Sequence, residues 1–485
     1  MTGRERVSRL LAGWLTIGAL FPASPAAADD LRGALGAAYR SNPTLAAARA
    51  GQRATDESVP IARADGLPSL ITTVTETEFV RQSPVSGTDL PRMLGASTTL
   101  NVPIYSGGGV RHAISAAKIR VGAGKDDLRS TEGTIFAQAV AAYLDVMRTE
   151  AIVRLNKAQV QTLEFDLSMT SDRFQIGDLT RTDVAQSQSR LAVARGNLRT
   201  AEANLVSARE TYIQVIGEPA GVLESPPPLP DLPATVEEAV GYALDNNPDL
   251  SASRQRVKAA GHDVSSAKAS RLPTVSLFAD GNYTDYLNSL SYIGFVSGSV
   301  PQRYTAADVG VRATIPLFQG GRPAAQVRQA QAREDQAAET AIGTERQVIA
   351  NARSAWATWA AANDVITSSQ TAVDAAQLSL EGVRAENTVG NRTVLDILNA
   401  EQELVNAQVT LVTARRNAYV AGFNLLVTMG RAQARDLGFD KDAIYDPDAH
   451  YKRVKGTLWD WATDPKMGPT ATRTVDTPAQ TGSIP

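Results

Sequence analysis

The sequence predicts a mainly α-helical protein that carries part of a membrane β-barrel. It is internally duplicated, with four transmembrane strands and long helices in each chain. Three observations carry this reading. The chain matches itself: Asn42-Pro43 with Asn247-Pro248 and Leu67-Pro68 with Leu272-Pro273 at an offset of 205, then Pro103 with Pro316, Gly177 with Gly390, Asp183 with Asp396 and Gly217 with Gly430 at 213. Residues 109–173 contain no Pro and form a candidate helix of 65 residues, and 323–386, Pro-free after its first residue, repeat it. Such a helix is roughly 100 Å long at 1.5 Å per residue. Finally, 94–104 and 307–317 alternate apolar and polar residues over eleven positions, enough for one tilted membrane strand.

The elements follow in order. Arg4, Arg6 and Arg9 precede an apolar run from Leu10 to Phe21, with small Ala26 and Ala28 before Asp29. That is the pattern of a cleaved secretory signal over 1–28, too short for a spanning helix. The first copy covers 29–217 and the second 235–430. Each opens on an Ala-rich helical stretch, 31–66 and 235–270, that ends before Leu-Pro, because Pro disfavours helix in the residue before it.

Strand pairs follow at 70–79 with 94–104, and at 275–286 with 307–317. Leu94, Ala96, Thr98, Leu100, Val102 and Ile104 share one face of the first cleanly alternating strand, and Ala307, Val309, Val311, Ala313, Ile315 and Leu317 one face of the second. A soluble amphipathic hairpin would show the same pattern, but secretion and the long flanking helices favour a membrane. Four strands cannot close a barrel, since an open edge in lipid leaves backbone groups unsatisfied at several kcal/mol each. The sheet must therefore be shared between chains. Two chains give eight strands and a filled interior, whereas three give twelve and room for a lumen.

The helices are far longer than globular helices and must pack side by side. In the first copy, the 31–66 stretch and the 182–217 helix sum to about the length of the long helix and could stack beside it. Between the copies, EPAGVLESPPPLPDLPA (218–234) is too Pro-rich for helix and reads as an extended linker. A partly disordered tail is expected over 431–485.

Composition excludes several functions. A net charge of −3 gives no basic field for nucleic acid. No later stretch approaches 18 continuous apolar residues, and the absence of Cys removes disulfides, thiolate sites and lipidation of an N-terminal Cys. His112, His262 and His450 are isolated in sequence, no H-E-x-x-H occurs, and Gly107, Gly108 and Gly109 recur as Gly320 and Gly321, so they read as a strand-to-helix turn rather than a phosphate loop. Trp356 and Trp359, three residues apart, read as packing. No cofactor and no enzymatic site is expected.

The two long-helix turns, IGDLTRTD at 176–183 and VGNRTVLD at 389–396, are nearly one string. Gly177 and Gly390 can take the left-handed helix-ending conformation, and Thr180 with Asp183, like Thr393 with Asp396, has the spacing of a reciprocal helix cap. Beyond the second turn, Asp396, Asn399, Glu403, Asn406, Thr410 and Thr413 form a polar stripe beside an apolar one containing Leu395, Leu398, Val405, Val409 and Val412. In a closed tube that stripe would face the lumen.

Over 31–430 the chain resembles the TolC family of outer-membrane channel proteins. The resemblance rests on the duplication, the Asn-Pro of each copy, VPIYSGG and IPLFQGG at the strand-to-helix junctions, and RFQIGDLTRTDV with VGNRTVLDILNA at the turns. The tail segment YDPDAHYKRVKGTLWDW (445–461) is similar to tails of members that serve type I protein secretion. The resemblance implies a homotrimer with a twelve-stranded barrel in outer-membrane lipid and a periplasmic helical barrel. It also implies a passive exit duct for type I protein secretion or multidrug efflux, docked to a periplasmic adaptor and an inner-membrane transporter of ABC or RND type. A secreted structural coiled-coil protein is the alternative.

The same resemblance implies a periplasmic gate. Thr182, Asp183, Arg392 and Asp396 match the family's gate residues, while Asn387 stands where the family has Tyr and Asn399 where it has a second Asp. Arg392 would pair with Asp183 to hold neighbouring helices inward. Three copies of Asp396 would form an acidic ring open to block by multivalent cations. Gly177, Asp178, Leu179, Gly390 and Asn391 would be the tips that an adaptor touches.

Overall fold

The computed structural model describes residues 30–81, 88–230, 232–292, 300–440, 443–466 and 468–484; the leader expected at 1–28 lies outside them. The first copy runs α1 (Leu31–Ser41), α2 (Pro43–Asp56), α3 (Ser58–Ala64), β1 (Ser69–Glu78), β2 (Thr88–Asp89), β3 (Arg92–Tyr105), α4 (Gly109–Gln175) and α5 (Arg181–Ile216). The second runs α6 (Val236–Asn246), α7 (Pro248–Ala269), β4 (Thr274–Asp285), β5 (Ser291–Tyr292), β6 (Arg303–Thr314), α8 (Arg322–Thr388) and α9 (Val394–Thr428), followed by α10 (Pro447–Val454). Both long helices, α4 and α8, are 67 residues. Among the described residues no helix is long and apolar enough to cross a membrane.

The opening helical stretches of both copies, expected to be continuous, are broken. Asn42 (φ −69°, ψ 123°) and Asn247 (φ −63°, ψ 123°) are extended, since the following Pro disfavours helical ψ in the residue before it. Each Asn then starts the next helix. Asn42 Oδ1 accepts from the Thr44 and Leu45 amides (3.0 and 3.3 Å), and Asn247 Oδ1 accepts from Leu250 N (3.1 Å). The amide nitrogens of the same side chains reach the end of the returning helix: Asn42 Nδ2 donates to the Val215 carbonyl (3.0 Å) and Asn247 Nδ2 to that of Thr428 (2.9 Å).

The short rods therefore meet end to end beside the long ones. Glycine is required at both joints: Gly217 (φ 92°) and Gly430 (φ 73°) are left-handed, and a Cβ on Gly430 would lie 2.3 Å from the Asn246 carbonyl oxygen.

The main sheet is an antiparallel meander in the order β1-β3-β4-β6, with β1 and β6 as edges. Its register aligns Leu70, Leu100, Ala279 and Val309 across all four strands, and Val102, Leu277 and Val311 across three. The opposite face carries rows such as Thr99, Asp280 and Asp308. One face is thus mainly apolar and the other mainly polar, with Ile71 and Phe278 among the polar rows of the second, a division that suits a barrel wall between lipid and lumen. Strand β6 ends at Thr314 rather than residue 317, so Ile315 and Leu317, on either side of Pro316, lie in the irregular segment that leads into α8.

The principal core sits around the middle of α4. Phe136, Tyr143, Leu205, Tyr212, Leu425, Leu426 and Met429 are buried there, and Trp356 and Trp359 pack against it. The Pro-rich linker is tied to this belt: Tyr143 donates to the Glu224 carbonyl (2.7 Å), Tyr419 to that of Pro227 (3.0 Å) and Trp356 Nε1 to that of Pro233 (3.2 Å). The tail returns as a strap. His450 on α10 lies 3.1 Å from fully buried Asp56, and Arg209 donates to the carbonyls of Thr481 and Ser483.

Candidate gate and docking tips

The long helices end in two turns built alike. In the first, Gly177 is left-handed (φ 82°) and the Asp178 amide donates to the Arg173 carbonyl (2.9 Å). In the second, Gly390 (φ 79°) is followed by Asn391, whose amide donates to Glu386 O (3.0 Å). A side chain at either glycine would meet nothing within 4 Å, so both project freely. Each next helix begins with the anticipated cap. Asp183 Oδ2 accepts from Thr180 N and Oγ1 (2.9 and 2.7 Å), and Asp396 Oδ2 accepts from Thr393 N and Oγ1 (2.9 and 2.8 Å).

These bonds, given first by the Thr backbone amides, hold the carboxyls of Asp183 and Asp396 below the usual Asp range; the Arg392 charge adds to the effect at Asp396. Both stay ionised where ordinary carboxyls begin to protonate. Only one oxygen of each is used by the cap.

The two turns are clasped by ion pairs of reversed polarity. Arg173 holds Asp178 (2.6 Å) in the first, and Arg392 Nε donates to Glu386 Oε2 (2.7 Å) in the second, where positions 173 and 386 correspond at the 213 offset. Within the chain, then, Arg392 is engaged by Glu386 rather than by the expected Asp183, whose carboxylate is turned to Thr180. Asn387 closes the second turn by donating to the Arg392 carbonyl (2.7 Å). Asn399, one turn beyond Asp396, accepts from Arg190 of α5 (2.5 Å) and so ties the two hairpins together. Thr182 is exposed at the start of α5, and Asp178, Gly177, Gly390 and Asn391 are exposed at the tips, with Leu179 half-buried.

Several participants were not anticipated. Arg190 lies 209 residues from Asn399, and no local pattern marks the pair. Ile176 and Val389, equivalent at the 213 offset, stand 80% and 70% exposed immediately before the glycines, an apolar point on each tip that the repeated string itself displayed. His112 and His262, isolated in sequence, meet at 3.3 Å where α4 packs on α7.

A sheet with two open edges at one end and two capped, freely projecting hairpins at the other defines the subunit of an outer-membrane export duct. The sequence profile of the outer membrane efflux protein family matches residues 34–218 and 239–431, once per copy. The outer membrane efflux protein BepC of Brucella suis is 33% identical over 444 residues, 92% of this chain and 94% of that protein. TolC of Escherichia coli is 27% identical, covering 66% of each chain. Among solved structures, the CmeC outer membrane channel of Campylobacter jejuni superposes with a TM-score of 0.71 at 15% identity, over 93% of this chain and 98% of that one.

The chain belongs to the outer membrane efflux protein family, and its fold is that of the TolC-like trimeric channels. It is an outer-membrane exit duct that extends into the periplasm, a transport protein rather than the structural coiled coil kept as the alternative.

Proposed function

We propose that three copies close a duct whose helical end docks a periplasmic adaptor and, through it, an inner-membrane transporter of ABC or RND type. The carrying observation is the pair of matched turns, each with a positive-φ glycine, an exposed apolar point and a capped Asp. The tips Gly177, Asp178, Leu179, Gly390 and Asn391 form the docking ring. The mouth is gated by Thr182, Asp183, Arg392 and Asp396, with Asn387 and Asn399 supporting the second turn. The near full-length match to an efflux protein supports small-molecule efflux over polypeptide secretion.

The test has two arms. A photo-reactive residue at position 391 should cross-link one adaptor in whole cells, and its identity fixes the transporter class. In planar bilayers Arg392→Ser should raise single-channel conductance, because freeing Glu386 and the second turn lets the mouth widen. Unchanged conductance in that variant sinks the gate assignment. Loss of a secreted polypeptide, with drug tolerance intact, on deleting the chain would reverse the choice of cargo.

A further inference from the structure

Above the tips, where α4 packs on α9, half-buried Asp166 of α4 lies beside buried Glu401 of α9, and Arg384 of α8, half exposed, reaches the pair from the solvent side. Glu401 is 2% exposed, and its Oε1 accepts from Arg384 Nη2 (2.6 Å). Its other oxygen, Oε2, is buried without a donor, and so is Asp166 Oδ2. An ionised carboxylate can only accept, so two facing carboxylate oxygens repel unless one carries a proton. A single proton between them supplies the missing donor for both, and Arg384 balances the charge that remains.

We propose that Asp166 and Glu401 share one proton as a latch between the first hairpin (α4 and α5) and the second (α8 and α9), tight while the proton is held and loosened when it leaves.

Other charged groups on the packed helices are engaged elsewhere. On α5, Arg190 donates to Asn399 and Arg195 to Glu164; on α8, Glu381 accepts from Gln377; on α9, Glu403 is exposed. Val160, Leu163, Leu191, Ala194 and Leu398 are buried nearby as one cluster, together with the buried hydroxyls of Thr170 and Ser187, of which Thr170 donates to the Asp166 carbonyl. Burial is the first cause of the raised affinity for the proton at both acids. It pushes the Glu401 carboxyl up to about 7, with the Asp166 charge adding to the rise and Arg384 opposing it.

The sign follows from which state binds the proton more tightly. A raised carboxyl makes the closed joint hold its proton where the open, hydrated joint has lost it. Closure therefore weakens as pH climbs from the ordinary Glu range, near 4.5, to about 7, and is level above. This runs opposite to the capped Asp183 and Asp396, whose carboxyls are held below the usual Asp range by the Thr180 and Thr393 bonds.

As an influence on the channel mouth, the latch rests on the gating role proposed above, so its test reads the joint directly. Hydrogen exchange of peptides spanning 160–170 and 398–405 is compared between the detergent-solubilised parent and Glu401→Gln at the same pH, which cancels the intrinsic rate. Glutamine keeps a donor for Asp166 and cannot ionise. The parent should open at least about tenfold more readily at pH 8 than at pH 5, relative to the variant, and Asp166→Asn should flatten the dependence in the same way. Equal pH dependence in the parent and both variants overturns the latch. A pH-dependent joint with pH-independent conductance in bilayers leaves the latch standing and refutes its influence on the channel mouth.

Discussion

Removing the Asn42 side chain tests how the two short rods are joined. Asn42→Ala takes away the acceptor for the Thr44 and Leu45 amides, a helix-start contribution of about 1 kcal/mol. It also strips the part-buried Val215 carbonyl of its donor, which costs roughly 1 to 2 kcal/mol more. The site is 6% exposed, so water compensates little. The total of about 2 to 3 kcal/mol corresponds to a roughly 30- to 150-fold rise in local opening. Hydrogen exchange of the peptide 43–56, measured by mass spectrometry on solubilised trimers, should accelerate by that factor. Asn42→Ser restores the cap alone and should recover about half the free energy. Asn247→Ala should behave alike over 248–254, since Asn247 makes both kinds of bond. Exchange within threefold of the parent in both alanine variants would refute the joint.

At the mouth, Asp396→Asn keeps an acceptor for Thr393 while removing the charge, so block by trivalent cations should disappear with trimer yield unchanged; persistent block places the ring elsewhere. Because the Thr393 bonds depress the Asp396 carboxyl, the block should survive as pH falls through the ordinary Asp range and vanish only below it, and loss between pH 5 and 4 contradicts the assignment. Gly177→Leu and Gly390→Leu have open space around the new side chain but force a left-handed backbone at roughly 1 to 2 kcal/mol. Trimers should form while export is lost, and normal export from both variants removes the tips from docking.

Much of this was legible because its cause is local. A Pro-free run of Ala, Gln and charged residues can only extend a helix, and the Thr-x-x-Asp caps formed at both turns as spaced. The strand alternation gave the faces, and the pairing register brought the two cleanly alternating strands into one apolar surface. The Asn-Pro breaks were visible too: an Asn that can cap, followed by a Pro suited to the first helical turn, ends one helix and begins another. They served only as markers of the repeat. The links between hairpins were hidden, because Arg190 with Asn399 and Asp166 with Glu401 depend on which helix faces meet. One clue existed. Glu401 falls three residues after Leu398 and four before Val405, so it is a lone acid inside the apolar stripe, on the side away from Asn399 and Glu403.

The equal length of α4 and α8 restricts how such a duct can change. Three chains with two hairpins each present six tips, and the equal 67-residue length of the two long helices is what lets them stand level. One added turn in a single copy would push three tips about 5.4 Å past the others and spoil a flush seat for any ring below. Lengthening must therefore come in matched steps. No such parity binds the opposite end: from the start of β1 to the start of α4 the chain takes 40 residues, and from β4 to α8 it takes 48. The surplus of eight lies within the β4–β6 hairpin, between Thr274 and its partner Thr314, measured against Ser69 and its partner Asn101 in the first copy.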